Sequence, residues 1–441
     1  MTTDLNRAMR DDWNRRARED AHYYVAFGRR GQDRAEFFAT AGEIAHSLAQ
    51  ELQRLAPDVP ASARRALEIG CGPGRLMRPL AEQFGEIFGV DVSDEMIGRA
   101  REYLADIPHA HPVHAPGSDL RAFGDDSFDF VYSYAVFQHI PERETVFRYF
   151  RETRRVLKTG GIARLQINGL PETAARYDTW SGVRISAADV AAFALDNDLQ
   201  LLALEGASTQ YMWTTWRKRP AGWYGLPPPA PGGGVRLARI TNSLSSEPAV
   251  PAQGRFASAS LWFYDLPAEC DLSRLLVQIG GRRAFVTYIG PRRHNGLHQV
   301  TAYLPRGLRT GLHRVEVSWG GEPLCSPGIL RVVPPPPAVP RVASVSDGID
   351  LLSGTKIVTG AIKLVIEEFG DPEQLAATVA GRPVSGFEIF CTDPRVPTHE
   401  VNFRVPEGVP PGPAAVVLSA GRRRFAPVVV EVVTPLRDEA S

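Results

Sequence analysis

The sequence predicts an α/β domain, doubly wound about a mostly parallel sheet, followed by two all-β domains. Three observations predict it. Helix-period and strand-period segments alternate through residues 1–225, proline clusters interrupt the chain at 226–234 and 333–340, and the two blocks that follow resemble each other. Alternation of that kind gives parallel strands covered by crossover helices. Proline runs fix φ and remove donors, so both clusters read as semi-rigid linkers. The expected domains are therefore 1–225, 235–333 and 339–434.

The first block opens with a helical region over about 5–57. An apolar strand then runs through Ala66-Leu-Glu-Ile into Gly70-Cys-Gly-Pro-Gly74, and the next segment carries Leu76, Leu80 and Phe84 at helical spacing. Glycines suit a turn where the backbone must bend tightly and approach a ligand. Pro79 should fall in the first turn of that helix or kink it. A second strand, Glu86–Asp91, ends on an acid 21 residues after Gly70. That is the distance at which a carboxylate at the second strand's tip can accept ribose hydroxyls. Ser93 is the better N-cap for the helix that follows. A short third strand near Val113, a fourth over 127–133, a fifth ending near Asn168 and a hairpin from 199–207 and 210–219 complete the block.

Composition narrows the function. The 441 residues hold 44% apolar and 23% charged side chains, with 50 basic against 50 acidic residues. These values describe a globular protein with no global field for nucleic acid or an anionic membrane. No apolar run is long enough to span a bilayer and no secretory h-region opens the chain, so the expected location is the cytoplasm. Four cysteines without CxxC spacing indicate no zinc ribbon, although a Cys270–Cys325 bridge is conceivable. His109, His111 and His114 precede the third strand, away from the ligand-binding strand ends, and no metal site is expected there.

LEIGCGPGRL, GVDVSDEMI, GSDLRAF, DFVYSYAVFQHI and RVLKTGGIARLQING, in this order, resemble the class I S-adenosylmethionine-dependent methyltransferases. The leading segment WNRRAREDAHYYVAFG resembles a bacterial subgroup often found beside sugar-processing enzymes. The resemblance implies a Rossmann-like, seven-stranded sheet ending in an antiparallel hairpin, with S-adenosylmethionine as cofactor and S-adenosylhomocysteine as product. It places the methionine part against Gly70, Gly72 and Gly74, the ribose at Asp91, and the adenine at Val92, Asp119 and Leu120. Glu68 would orient the turn or the cofactor's amino end, and Tyr134 would lie near the sulfonium methyl. Tyr24, in the leading helix, would close over the cofactor.

His139 and Tyr134 are the catalytic candidates; an imidazole that titrates near neutrality can take a proton from a hydroxyl or amine as the methyl moves. The bland reading of His139 is a helix cap. Asn168, Tyr177, Asp178 and Trp180, in the loop after strand five, are the candidate substrate contacts. The acceptor would be an O or N nucleophile on a small molecule or saccharide. A dehydrogenase is disfavoured because the turn is GxGxG, not GxGxxG. The alternative is a non-catalytic scaffold.

In the second and third blocks, HQVTAYLPRGLRTGLHRVEVS at 298–318 aligns without gaps on HEVNFRVPEGVPPGPAAVVLS at 399–419. Duplication of one domain is implied. Short β-rich runs between Gly/Pro turns predict two sandwiches, and they resemble bacterial Ig-like domains. Protein or glycan contacts are their expected role. The Arg292-Arg293 and Arg422–Arg424 runs read as solvated turns.

Overall fold

Seven strands of the first block pair in the order β3-β2-β1-β4-β5-β7-β6. They are β1 Arg65–Ile69, β2 Glu86–Asp91, β3 Ala110–His114, β4 Phe128–Ser133, β5 Leu157–Ile167, β6 Leu199–Glu205 and β7 Met212–Lys218. β1 to β5 run parallel, while β7 is antiparallel to both β5 and β6. This is a Rossmann-like arrangement with a mixed sheet. The computed structural model describes residues 2–26, 30–172, 176–227, 234–254, 256–335, 339–350, 353–369, 374–393 and 397–433. Parts of both proline linkers, 228–233 and 336–338, lie outside the described residues. The chain divides into two units, Met1–Arg15 with Ala41–Pro336, and Arg16–Thr40 with Pro337–Ser441.

Burial follows the pattern of the sequence. β4, and β5 from Gly161 on, are buried almost throughout, as strands covered on both faces of a parallel sheet are. β3, the edge strand, carries Pro112, which an edge tolerates because one of its sides lacks a ladder partner. Ser93 caps the helix Asp94–Tyr103 by accepting from the Met96 N–H. The helix after the glycine turn is shorter than its spacing suggests: Met77–Leu80 is α-helical and Ala81–Gln83 is 3₁₀. Pro79 sits in its first turn, where a missing N–H is tolerated, and Leu76, Leu80 and Phe84 are still buried.

The second block adds β8 Arg236–Asn242, β9 Ala249–Pro251, β10 Ser258–Tyr264, β11 Leu275–Ile279, β12 Arg282–Ile289, β13 Leu297–Tyr303, β14 Gly311–Trp319, β15 Glu322–Pro323 and β16 Gly328–Val333. Strands β8-β10-β13-β12 form one sheet, and β12 continues into a second, β12-β11-β14-β16-β9. Inward side chains of both sheets, such as Leu261, Val300, Val277 and Val317, share one buried cluster. The block is joined to the first by strand pairing. Tyr288 on β12 pairs with Ala203 on β6, and Leu272 N–H donates to Leu201 O at 2.8 Å. Gln200 is buried and donates to the carbonyls of Ala268 and Cys270, each at 2.8 Å. Cys270 and Cys325 are free thiols, so the conceivable bridge is absent.

The third block repeats this pairing. Its strands are β17 Arg341–Asp347, β18 Lys356–Ile357, β19 Ala361–Glu367, β20 Leu375–Val379, β21 Arg382–Pro383, β22 Glu388–Asp393, β23 Thr398–Arg404, β24 Gly412–Ala420, β25 Arg423–Arg424 and β26 Val428–Val432. One sheet is β17-β19-β23-β22 and the other β18-β26-β24-β20-β21, with β25 on β24. The aligned segments fall on β13/β14 and β23/β24 at a constant offset. Gly307 and Gly408, both at φ +75°, occupy the same turn. The single strand β12 corresponds to β21 and β22 here, because the continuous strand that serves both sheets in one block is split in the other.

Candidate functional site

The glycine turn connects β1 to the helix Met77–Leu80, and its three glycines have φ of +72°, +51° and +83° at Gly70, Gly72 and Gly74. Those backbone angles favour glycine, and space does too. A Cβ on Gly70 would lie 2.3 Å from a Val136 methyl, and one on Gly74 would lie 2.7 Å from Leu104 Cδ1. The turn is fastened to β2 by Gly70 N–H and Cys71 N–H, both donating to Val90 O. Asp91 completes the fastening: Oδ2 accepts from Gly72 N–H at 2.9 Å and Oδ1 from Ser93 N–H at 2.8 Å. Burial raises the Asp91 pKa above the ordinary carboxylate value, against these two hydrogen bonds.

Beneath the turn, Glu68 is buried and accepts from Tyr132 OH at 3.0 Å. Burial pushes its pKa up to about 8, outweighing the Tyr132 hydrogen bond and the charge of Arg75. Arg75, also buried, lies 5.6 Å from the ring centre of Tyr134, which stacks on Trp213 at 5.6 Å and 12°. A planar stack thus fixes Tyr134 at the end of β4.

The loop after β4 is held in an uncommon conformation, with Ala135 at φ +58°. Gln166, buried on β5, accepts from Ala135 N–H at 2.8 Å and donates to Ile167 O and Gln210 O. The loop after β5 is zipped onto this one: Gly182 N–H donates to Gln138 O and Val183 N–H to Ile140 O. His139 sits at the junction, buried, with Nδ1 2.9 Å from Trp180 O. A carbonyl only accepts, so Nδ1 carries the proton and Nε2 holds the lone pair when the ring is neutral. Trp13 meets the ring edge-on at 5.3 Å, and Trp180, 45% exposed, lies at 5.6 Å.

Asp119 is buried and pairs with Arg121, its Oδ2 2.6 Å from Nη2, and Arg121 holds its carboxyl below the usual range. Arg121 is exposed, where solvent screens such a pair, so a ligand could displace it. Leu120 N–H donates to Glu152 Oε2 at 3.0 Å. Leu120, which the resemblance places at the adenine, therefore already uses its backbone donor in this arrangement. Val92 packs where a Cβ on Gly117 would intrude, at 2.7 Å.

Of the substrate candidates, Asn168 is buried, its side chain accepting from Leu170 N–H, and Tyr177 packs partly buried on the main cluster. Asp178 Oδ1 accepts from the N–H groups of Trp180 and Ser181 and so shapes a turn. Residues 173–175 lie outside the described residues. Tyr24 belongs to the second unit, where its hydroxyl donates to Glu19 at 2.9 Å and Arg30 lies 5.7 Å from its ring centre. Among the described residues no cluster of ligating side chains suits a metal ion. Likewise, no helix there is long and apolar enough to cross a membrane.

Sequence reasoning missed one group. In the first helix, Thr2–Ala26, Asn6 donates to Ser118 Oγ at 2.9 Å and Met9 packs near Gly117. Trp13 meets His139, and Asn14 Oδ1 accepts from Ser93 Oγ at 2.6 Å. Thr179 Oγ1 donates to Asp12 at 2.5 Å. Asn6, Met9 and Trp13 are spaced i, i+3, i+7, and that single face was the available signal.

Residues 67–165 match the methyltransferase domain family. S-adenosylmethionine is the methyl donor indicated for such a domain. The chain is 31% identical over 140 residues to trans-aconitate 2-methyltransferase of Streptomyces coelicolor, covering 31% of this chain and 45% of that protein. It is 34% identical over 101 residues to N-demethylindolmycin N-methyltransferase of Streptomyces griseus, covering 22% and 40%. A solved structure, magnesium protoporphyrin IX methyltransferase from Synechocystis PCC 6803 with bound S-adenosylhomocysteine, shares 16% identity over 47% of this chain and 97% of that one, at TM-score 0.35. The chain spans less than half the length of the two curated relatives named above.

Proposed function

We propose that the protein transfers a methyl group from S-adenosylmethionine to an O or N nucleophile of a small molecule or saccharide. The observation that carries the reading is the Asp91 carboxylate fastened across the glycine turn. Each oxygen accepts one backbone N–H and keeps a second lone pair, which suits the two hydroxyls of a ribose. Gly70, Gly72 and Gly74 leave the backbone bare for the methionine portion, with Glu68 behind them. Adenine would lie along Val92 and Asp119, under Asn6 and Met9 of the first helix.

The cofactor supplies an electrophilic methyl on a sulfonium, and the chain's own residues do the rest. Tyr134, stacked between Arg75 and Trp213, presents a fixed wall beside the turn. His139, with its Nδ1 proton committed to Trp180 O, has Nε2 3.4 Å from the Gln138 amide, and an acceptor that displaced this amide would give its proton to Nε2. Trp180 and Trp13 flank that imidazole and exclude water. In-line positioning carries most of the rate in such a transfer. The two β blocks are read as Ig-like sandwiches produced by duplication, a reading that their shared strand pairing supports.

The test is incubation of the full chain with methyl-labelled S-adenosylmethionine and a panel of carboxylate, phenol, amine and sugar acceptors, read by mass shift. Transfer to one class, lost in Gly70→Val, supports the reading. Tight cofactor binding with no transfer to any class would favour a scaffold.

A further inference from the structure

The outer face of the sheet β8-β10-β13 carries a row of arginines laid over aromatic rings. Trp262 and Tyr264 are two residues apart on β10, so both lie on one face, about 7 Å apart along the strand. The opposite face, with Leu261 and Phe263, belongs to the core. Arg239 and Arg293 lie 5.0 and 4.5 Å from the Trp262 ring centre, and Arg236 lies 4.4 Å from that of Tyr264. Trp262 is itself pinned by donating its indole N–H to Thr241 Oγ1 at 3.0 Å. Arg293 is further steadied by donating to Gln299 Oε1 at 2.6 Å. The rings therefore act as mounts that hold guanidinium groups in fixed, spaced positions.

Beside this row lies a recess of about 510 Å³ lined by Tyr264, Arg292, Arg293, His294, Asn295 and Gly296. Arg236, Arg239, Arg292 and Arg293 are exposed, and among the described residues none forms an ion pair with a carboxylate. The neighbouring acid is Asp265, exposed, next in sequence to Tyr264. In a chain of zero net charge this is a strong local excess of positive charge. His298, nearby on β13, is held below its ordinary pKa by burial and by the charge of Arg292.

We propose that this face of the second block binds an acidic saccharide, with Arg292 and Arg293 gripping a sugar carboxylate in the recess and Arg236 and Arg239 meeting further carboxylates along the chain. Guanidinium groups match carboxylates in bidentate geometry, and a row of them fits a repeating anion better than a single one. Single-stranded nucleic acid fits less well, because base stacking needs bare aromatic faces and guanidinium groups cover Trp262 and Tyr264. The Asn295 amide, at the rim, suits a sugar hydroxyl. Arg292 and Arg293 are exposed, as a solvated turn requires, and the binding proposed for them is independent of methyl transfer.

The test is affinity electrophoresis of the full chain through gels containing polygalacturonate, neutral dextran or an oligothymidylate, at low and high salt. Retardation by polygalacturonate alone is expected, weakening with salt, and Arg292→Gln/Arg293→Gln should reduce it about tenfold or more. Thermal unfolding of the variant at the wild-type temperature shows that the fold is kept, and Arg422→Gln/Arg423→Gln, in the other block, should bind as wild type. Absence of retardation, equal retardation of the Arg292/Arg293 variant, or tighter binding to oligothymidylate would overturn the proposal.

Discussion

The Asp91 carboxylate accepts the Gly72 N–H at 2.9 Å, so the acid at the tip of β2 also holds the glycine turn in place. Removing it should therefore do two things. Asp91→Ala leaves the Gly72 and Ser93 donors short of a partner, costing about 1–3 kcal/mol of stability, and it removes the acceptors for the ribose. Cofactor affinity should fall by about a hundredfold, at roughly 1.5–3 kcal/mol for a hydrogen bond to a charged group. Calorimetric titration with S-adenosylhomocysteine checks this, and unchanged affinity with a lowered melting temperature would leave Asp91 a purely structural role.

Glu68 gives the protein a pH dependence with a definite sign. Its folded-state pKa is raised from 4.5 to about 8 by burial, so the folded state prefers the protonated acid. The stability this contributes is fully present below about pH 4.5 and is lost as pH rises through 8. Glu68→Gln lacks the titration. Its melting temperature relative to wild type should rise between pH 5 and pH 9, by roughly 2–4 °C for each kcal/mol recovered. A difference that stays flat across that range would show that Glu68 is ionised in the folded protein.

Gly70 combines a left-handed φ with the contact to Val136. Gly70→Ala should lose most cofactor binding, because the new methyl meets Val136 at 2.3 Å and the turn must shift. Adding Val136→Ala removes the clash but not the backbone cost of about 1–2 kcal/mol for an alanine at this φ. Partial recovery of binding in the double variant is the expected outcome, measured by the same titration. No recovery would place the whole cost in the backbone.

Legibility in the sequence followed locality. The glycine turn, Asp91, the Ser93 cap and the β6/β7 hairpin were readable because each is written in adjacent residues whose spacing has one physical meaning. Asn6, Trp13 and Asn14 were not, since their partners Ser118, His139 and Ser93 lie roughly 80 to 130 residues away and no local pattern marks such pairs. The Leu120 N–H was assigned from resemblance alone; only the fold brings Glu152 to it. The pairing of Tyr288 with Ala203 was likewise hidden, because the proline linker between them suggests separation and edge pairing depends on strands distant in sequence.

His139 separates two roles by its pH profile. As the group that takes the acceptor's proton, His139→Ala should lower kcat about 10²–10⁴-fold and abolish the acidic limb of the rate profile. As a positioning residue that holds Trp180 O, it should lower kcat modestly, leave the limb in place and change the fluorescence of Trp180 and Trp13. His139→Asn, which can still donate toward that carbonyl, should restore activity only in the second case. The first outcome is the one that the proposed role predicts, with the acceptor displacing the Gln138 amide from Nε2.

The strand pairing between β6 and β12 makes a prediction about truncation. A chain ending at residue 225 leaves β6 as an unpaired edge, strips the Leu201 carbonyl of its donor from Leu272, and leaves the buried Gln200 amide without the Ala268 and Cys270 carbonyls. A long apolar edge of this kind is a template for aggregation. A chain ending at residue 336 keeps all of these contacts. Both truncations remove the third block, so their difference isolates the second. The shorter chain should elute as aggregate on gel filtration and bind a hydrophobic dye, while the longer one should not. Within the full chain, Gln200→Ala should cost about 1–3 kcal/mol, since it orphans the buried Cys270 carbonyl, while the exposed Ala268 carbonyl keeps its donor from Arg219. A monomeric 225-residue chain that melts as sharply as the 336-residue one would show that the second block is an appendage and that β6 is stable as an open edge.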